Sequence, residues 1–142
     1  HIQVHRVGKR AAELAGVSAV FEATMNRDAV QRMMAEAIAD GTASEAFGDD
    51  AEQVQPDAQA DLGEPEENIT HAIDVSAFVD KKRRSMEAHA SQISEESFFM
   101  KMPEDMFAAA FGTEWFIEHG QKRPPGAPFG DDLFHAFSSE RS

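Results

Sequence analysis

Between Glu45 and Glu67, nine acidic side chains (Glu45, Asp49, Asp50, Glu52, Asp57, Asp61, Glu64, Glu66 and Glu67) follow one another with no Lys or Arg among them. Their charges repel, and the residues between them include Gly, Pro, Gln and Ala but few large apolar groups. Such a stretch cannot bury enough surface to offset the entropy of ordering it. The sequence therefore predicts a solvated, disordered loop at 42–67, and whatever the chain builds must be assembled from the segments on either side.

Before the loop, Val4, Val7, Ala11 and Leu14 recur at three- and four-residue intervals and Gly16 follows. This predicts a helix from Val4 to Ala15 with one buried face and a glycine C-terminus. Ser18 to Thr24 is short, apolar and partly β-branched or aromatic, and reads as a strand. Asn26 is placed to cap a second helix, Arg27 to Ala39, with Val30, Met33, Met34, Ala37 and Ile38 inward.

After the loop, Ile69 to Ile73 has strand character and Asp74 can cap a third helix, Val75 to about His89, burying Val75, Phe78, Val79 and Met86. Lys81, Lys82, Arg83 and Arg84 occupy its later turns, where the helix dipole favours cations, and read as a solvated face. Pro103 suits the first position of a fourth helix, with Glu104 and Asp105 in the first turn and Met106, Phe107, Ala110 and Phe111 as apolar contacts. Thr113 to Ile117 reads as a strand. A Pro/Gly loop then leads to an apolar anchor of Leu133, Phe134 and Phe137. Helices alternating with strands point to an α/β layered fold in one domain, 1–142. Three strands are few for a parallel sheet with helices on both faces, so further N-terminal strands are expected from a longer protein, an expectation that the opening His1-Ile2-Gln3-Val4-His5 also suits.

The net charge of −13 and pI near 4.7 argue against nucleic acid or an anionic membrane as partner. Without cysteine, any zinc must be held by His and carboxylate ligands. No apolar run is long enough to span a membrane, which makes a soluble cytoplasmic protein the expectation. The acidic surface leaves the oligomeric state open.

His1 and His5 are spaced to share a helical face, as in helical zinc sites, although no Glu lies between them and exposed polar residues would look the same. His71, His119 and His135 have no carboxylate or histidine at a telling interval, and read as surface or strand-end residues. His89 falls where the third helix should end and is followed by Ala90-Ser91-Gln92. It suits either a structural C-cap or the border of a ligand crevice.

Several segments, taken in order, resemble the PIG-L/LmbE-like zinc-dependent de-N-acetylases. They are His1-Ile2-Gln3-Val4-His5-Arg6-Val7-Gly8, Ala23-Thr24-Met25-Asn26-Arg27, Ile73 through Lys82, Ala88 through Ile93, Ser97-Phe98-Phe99, Phe111 through Phe116 and Asp132-Leu133-Phe134. The resemblance implies a Rossmann-like LmbE-type layered fold whose N-terminal strands are missing here. It also implies hydrolysis of an N-acetyl group on a small amino-sugar or sugar-inositol substrate by metal-activated water. His1 falls on a family Zn2+ ligand, and His89, Ser91 and Gln92 on a polar motif near the substrate. The family's Ala-His-Pro-Asp-Asp-Glu segment, with two further ligands and the general base, has no counterpart in these residues. The resemblance therefore implies a C-terminal fragment, inactive alone, in which no catalytic residue can be named. A non-catalytic sugar- or protein-binding module that keeps the family's C-terminal shell is the alternative.

Overall fold

Short runs rich in β-branched and aromatic residues become strands only when neighbours take up their backbone hydrogen bonds, and here a single central strand does so for two others. The computed structural model describes residues 2–42, 63–89 and 102–135. Among them are strands β1 (Phe21–Thr24), β2 (His71–Asp74) and β3 (Thr113–Glu118) and helices α1 (Ile2–Ala15), α2 (Arg27–Ala39), α3 (Val79–Glu87) and α4 (Glu104–Phe111). The mixture of helix and sheet is as expected. The sheet, however, runs β1-β3-β2 with both pairs antiparallel, whereas helix–strand alternation suggests a parallel one. The last strand enters between the first two, which run parallel to each other but do not touch.

Register fixes two faces, because successive side chains alternate across a strand. Phe21 lies opposite Glu118, and His71 opposite Phe116, which places Phe21, His71, Phe116 and Glu118 on one face. Glu22 pairs with Ile117 and therefore lies on the other.

α1 ends as expected at Gly16, whose φ of 65° is a left-handed conformation that glycine adopts without penalty. Its orientation differs from the expected one. Val4, Val7 and Leu14 are 74%, 65% and 72% exposed. The polar side holds the helix to the sheet, through Lys9 Nζ at 2.6 Å and His5 Nδ1 at 3.4 Å from the Glu22 carboxylate. The apolar stripe is thus turned outward by ion pairs on the opposite side.

α2 starts where expected. Asn26 is 1% exposed, its Oδ1 accepts from the Ala29 amide at 2.9 Å, and its Nδ2 donates to Glu66 Oε2 at 3.3 Å. Of the expected inward residues, Ala37 is buried, Val30, Met33 and Met34 are half-buried and Ile38 faces solvent. Most of the acidic stretch, 43–62, lies outside the described residues. Its last residues are held against the start of α2: Arg27 N–H donates to Glu64 O, Glu64 N–H to Met25 O, Glu66 N–H to Asp28 Oδ2 and Arg32 Nη2 to Glu66 Oε2. Acidic residues order here because amides and one guanidinium meet them.

Asp74 Oδ1 accepts from the Ser76 amide at 2.9 Å, but a 3-10 turn (Ser76–Phe78) intervenes before α3, so the helix begins at Val79. Val79, Met102 and Phe107 form a small core joined by Met86, Met106 and Phe111, while Phe78 is 55% exposed. The basic cluster does more than complement a dipole. Arg83 Nη2 donates to Met102 O and lies over the Phe107 ring, and Lys82 Nζ donates to Phe111 O and pairs with Glu114. These residues fasten α3 to α4 and to β3.

Two tests follow from the α2 junction. Replacing Asn26 by Ala removes the cap and should cost about 1–2 kcal/mol in denaturant melts; a loss below about 0.3 kcal/mol would show that the cap is not what seats α2. The second concerns Glu66, whose carboxyl is held below the usual carboxylate range first by the Arg32 hydrogen bond and then by Asn26. A depressed folded-state value means that the stabilisation is present above the unfolded-state value and is lost as pH falls through the folded one. Both partners are partly exposed, so the effect should be below about 1 kcal/mol. Melts from pH 7 to 3 should show an acid-dependent loss that Arg32→Ala reduces.

Candidate functional site

The extended face of the sheet carries one group of side chains able to hold a metal ion among the described residues: His71, Glu118 and His135, each offering a ligand atom within 4.8 Å of the others. His71 begins β2 and Glu118 ends β3, while His135 arrives from the segment after the Pro/Gly loop. That segment is brought in by Gly130, which donates its N–H to Thr70 O and accepts from the Ala72 amide, both at 3.0 Å, on the edge of β2 away from β3. A Cβ at Gly130 would overlap the His71 ring. Glycine is what lets the backbone approach so closely.

His71 and Glu118 are 7% and 8% exposed. The His71 and His135 rings stack at 5.4 Å between centroids with a 15° interplanar angle, and Phe21 meets both edge-on. Glu118 Oε2 lies 3.4 Å from His135 Nε2 and 3.9 Å from His71 Nε2. Burial holds the His71 imidazole below its ordinary value; Glu118 opposes this, His135 adds to it, and Asp131 and Asp132 oppose it. Burial thus disfavours the imidazolium form of His71.

The other ring nitrogens are engaged. His135 Nδ1 lies 2.9 Å from Asp132 O, and since a carbonyl only accepts, Nδ1 carries the proton. His71 Nδ1 lies 2.8 Å from Thr70 Oγ1, a hydroxyl that also reaches Phe116 O at 3.2 Å and accepts from the Glu118 amide at 2.8 Å. The group opens into a pocket of about 340 Å³ bordered by Lys122 and Arg123. Arg123 is committed elsewhere: it donates to Ile69 O, Glu66 O and Ala127 O and stacks on Phe129 at 4.0 Å.

Sequence reasoning missed this group, reading His71 and His135 as surface or strand-end residues. No spacing could have revealed it, because the three residues converge only through the β2–β3 register and the Gly130 bridge. Of the residues proposed from sequence, His1, Ser91 and Gln92 lie outside the described residues. His89 is exposed at the end of α3, with Nδ1–H donating to Ser85 O at 2.8 Å, and it does not meet the His71 group. His5 pairs with Glu22, and His119 is exposed. Of the expected apolar anchor, Leu133 is half-buried, Phe134 is 71% exposed and Phe137 lies outside the described residues.

Comparison with known proteins bears on what this scaffold serves. The chain is 34% identical over 138 residues to a 1D-myo-inositol 2-acetamido-2-deoxy-alpha-D-glucopyranoside deacetylase of Acidothermus cellulolyticus, covering 94% of this chain and 45% of the relative. Proteins of the same name from Streptomyces griseus and Salinispora arenicola are 35% and 31% identical, again over 94% of this chain and 44% of theirs. These deacetylases are thus similar to the chain over nearly all of its length. The chain spans somewhat under half the length of these relatives. No protein-family model and no solved structure matches it. Among the described residues, no helix is long and apolar enough to cross a membrane.

Gly130→Ala should push the His71 ring off its seat and cost about 1–3 kcal/mol as overpacking does. Denaturant melts combined with the imidazole resonances of His71 would check this; an unshifted His71 signal would mean that the edge contact does not position the ring.

Proposed function

We propose that the protein to which this chain belongs removes the N-acetyl group from an amino sugar joined to inositol, in the cytoplasm, with Zn2+ as cofactor. The observation that carries this reading is the similarity to deacetylases of that substrate over 94% of the chain. Under it, the three-stranded sheet is one part of a Rossmann-like layered fold, and β1 and β2, parallel but separated, belong to that larger arrangement.

In this reading His1 is one zinc ligand, and the remaining ligands and the general base come from sequence outside these 142 residues. A catalytic zinc takes three protein ligands and keeps a position open, so the chain by itself is inactive. Zinc, when bound, supplies a water of lowered pKa and polarises the acetyl carbonyl. His89, Ser91 and Gln92, at and beyond the end of α3, contribute to holding the sugar.

The test is acetate release from N-acetylglucosaminyl-inositol by the full-length protein. We expect turnover that chelation abolishes and that His1→Ala lowers by more than about 100-fold, beyond what loss of a ligand's outer-shell support produces. Stoichiometric metal with no acetate from any acylated amino sugar would overturn the enzymatic reading in favour of a sugar- or protein-binding module.

A further inference from the structure

We propose that His71 Nε2, His135 Nε2 and a Glu118 carboxylate oxygen form a three-ligand site for a zinc-class divalent cation, separate from the catalytic metal assigned to His1. The site's chemistry follows from which atoms are left over once the surrounding hydrogen bonds are made.

His135 donates Nδ1–H to the Asp132 carbonyl, which leaves Nε2 as the nitrogen that faces Glu118, 3.4 Å from a carboxylate oxygen. His71 repeats the pattern: its Nδ1 is engaged by the Thr70 hydroxyl at 2.8 Å, and its Nε2 faces the same carboxylate oxygen at 3.9 Å. Imidazoles that donate one N–H to a carbonyl or hydroxyl while turning the other nitrogen toward a shared centre have the outer-shell arrangement of metal-ligating histidines.

The carboxylate needs a cation from somewhere. The Glu118 side chain is 10% exposed and its ion-pair contacts among the described residues are the two imidazoles. Arg123 borders the pocket but its guanidinium is occupied by three carbonyls and the Phe129 ring. Lys122 borders it without reaching Glu118.

Distances favour a small tetrahedral ion. Metal–nitrogen and metal–oxygen bonds of about 2.0–2.1 Å place neighbouring tetrahedral ligand atoms about 3.4 Å apart. The His135–Glu118 separation already has this value. The group spans up to 4.8 Å, and His135, whose side chain is 46% exposed, can move inward to shorten its own separations. The 3.9 Å between His71 and Glu118 must close by a small rotation of the Glu118 carboxylate. Two imidazoles and one carboxylate without thiolate suit Zn2+ over Mg2+ or Ca2+, and the fourth position opens to water in the pocket. Occupancy would clamp the 130–135 segment onto the edge of β2.

The test titrates Co2+, and Zn2+ against a competing chelator, into the 142-residue chain and into His135→Ala, Glu118→Gln and His1→Ala. We expect one equivalent bound with the visible d–d bands of tetrahedral Co2+, weakened at least about tenfold by His135→Ala and by Glu118→Gln but unchanged by His1→Ala. His135 is a half-exposed residue, so its variant should keep the circular dichroism of the parent; metal should also slow amide exchange at 130–135. Binding lost only in His1→Ala would overturn the proposal and leave the family's metal as the sole one. No binding, with an imidazolium signal from His135 bridging to Glu118, would overturn it as well, while acetate release by the full-length protein is a separate readout.

Discussion

The pairing of β3 with both other strands is the constraint on which the rest of the structure depends. Buried backbone donors and acceptors must be matched, and β3 is the strand matched along both edges. Its register places Glu118 opposite Phe21 and Phe116 opposite His71, so β3 determines which side chains of the N-terminal and middle segments share a face. A slip of one residue would send Glu118 to the face carrying Glu22 and dissolve the cluster. Thr70 reinforces the register: its amide and hydroxyl both reach Phe116 O, and its Oγ1 accepts from the Glu118 amide.

Local features were legible in the sequence where the physics is local. Asn26 capping α2 and Gly16 ending α1 both depend on atoms within a few residues, and both stand where the sequence puts them. What was not legible depends on partners distant in the chain. The stripe of Val4, Val7 and Leu14 is correctly helical in period, yet its direction is decided by Glu22 pairing with His5 and Lys9. Periodicity tells which residues share a face but not which face meets the sheet. Likewise the antiparallel sheet could not be read from helix–strand order, because order does not say that the last strand inserts between the first two. The resemblance rests on contiguous motifs, whereas the His71 group is assembled from three segments far apart in the chain.

The chain's charge imbalance connects these points. With 13 basic residues against 26 acidic ones, cations are scarce. Several of them are nevertheless used on backbone carbonyls: Arg27 on Gly63 O, Arg83 on Met102 O, Lys82 on Phe111 O, and Arg123 on three carbonyls at once. These contacts close loops that small apolar contacts could not, since among the described residues the fully buried large side chains are few, Phe107, Ile69 and Asn26. A guanidinium spent on carbonyls is not available to a carboxylate. Glu118 therefore sits nine-tenths buried with imidazoles for company, and burial disfavours the charged form of His71. A buried carboxylate without a fixed positive partner is costly unless a cation completes it. The arrangement that staples the fold together is thus also the arrangement that leaves a divalent ion the natural occupant of its one His/Glu cluster among the described residues.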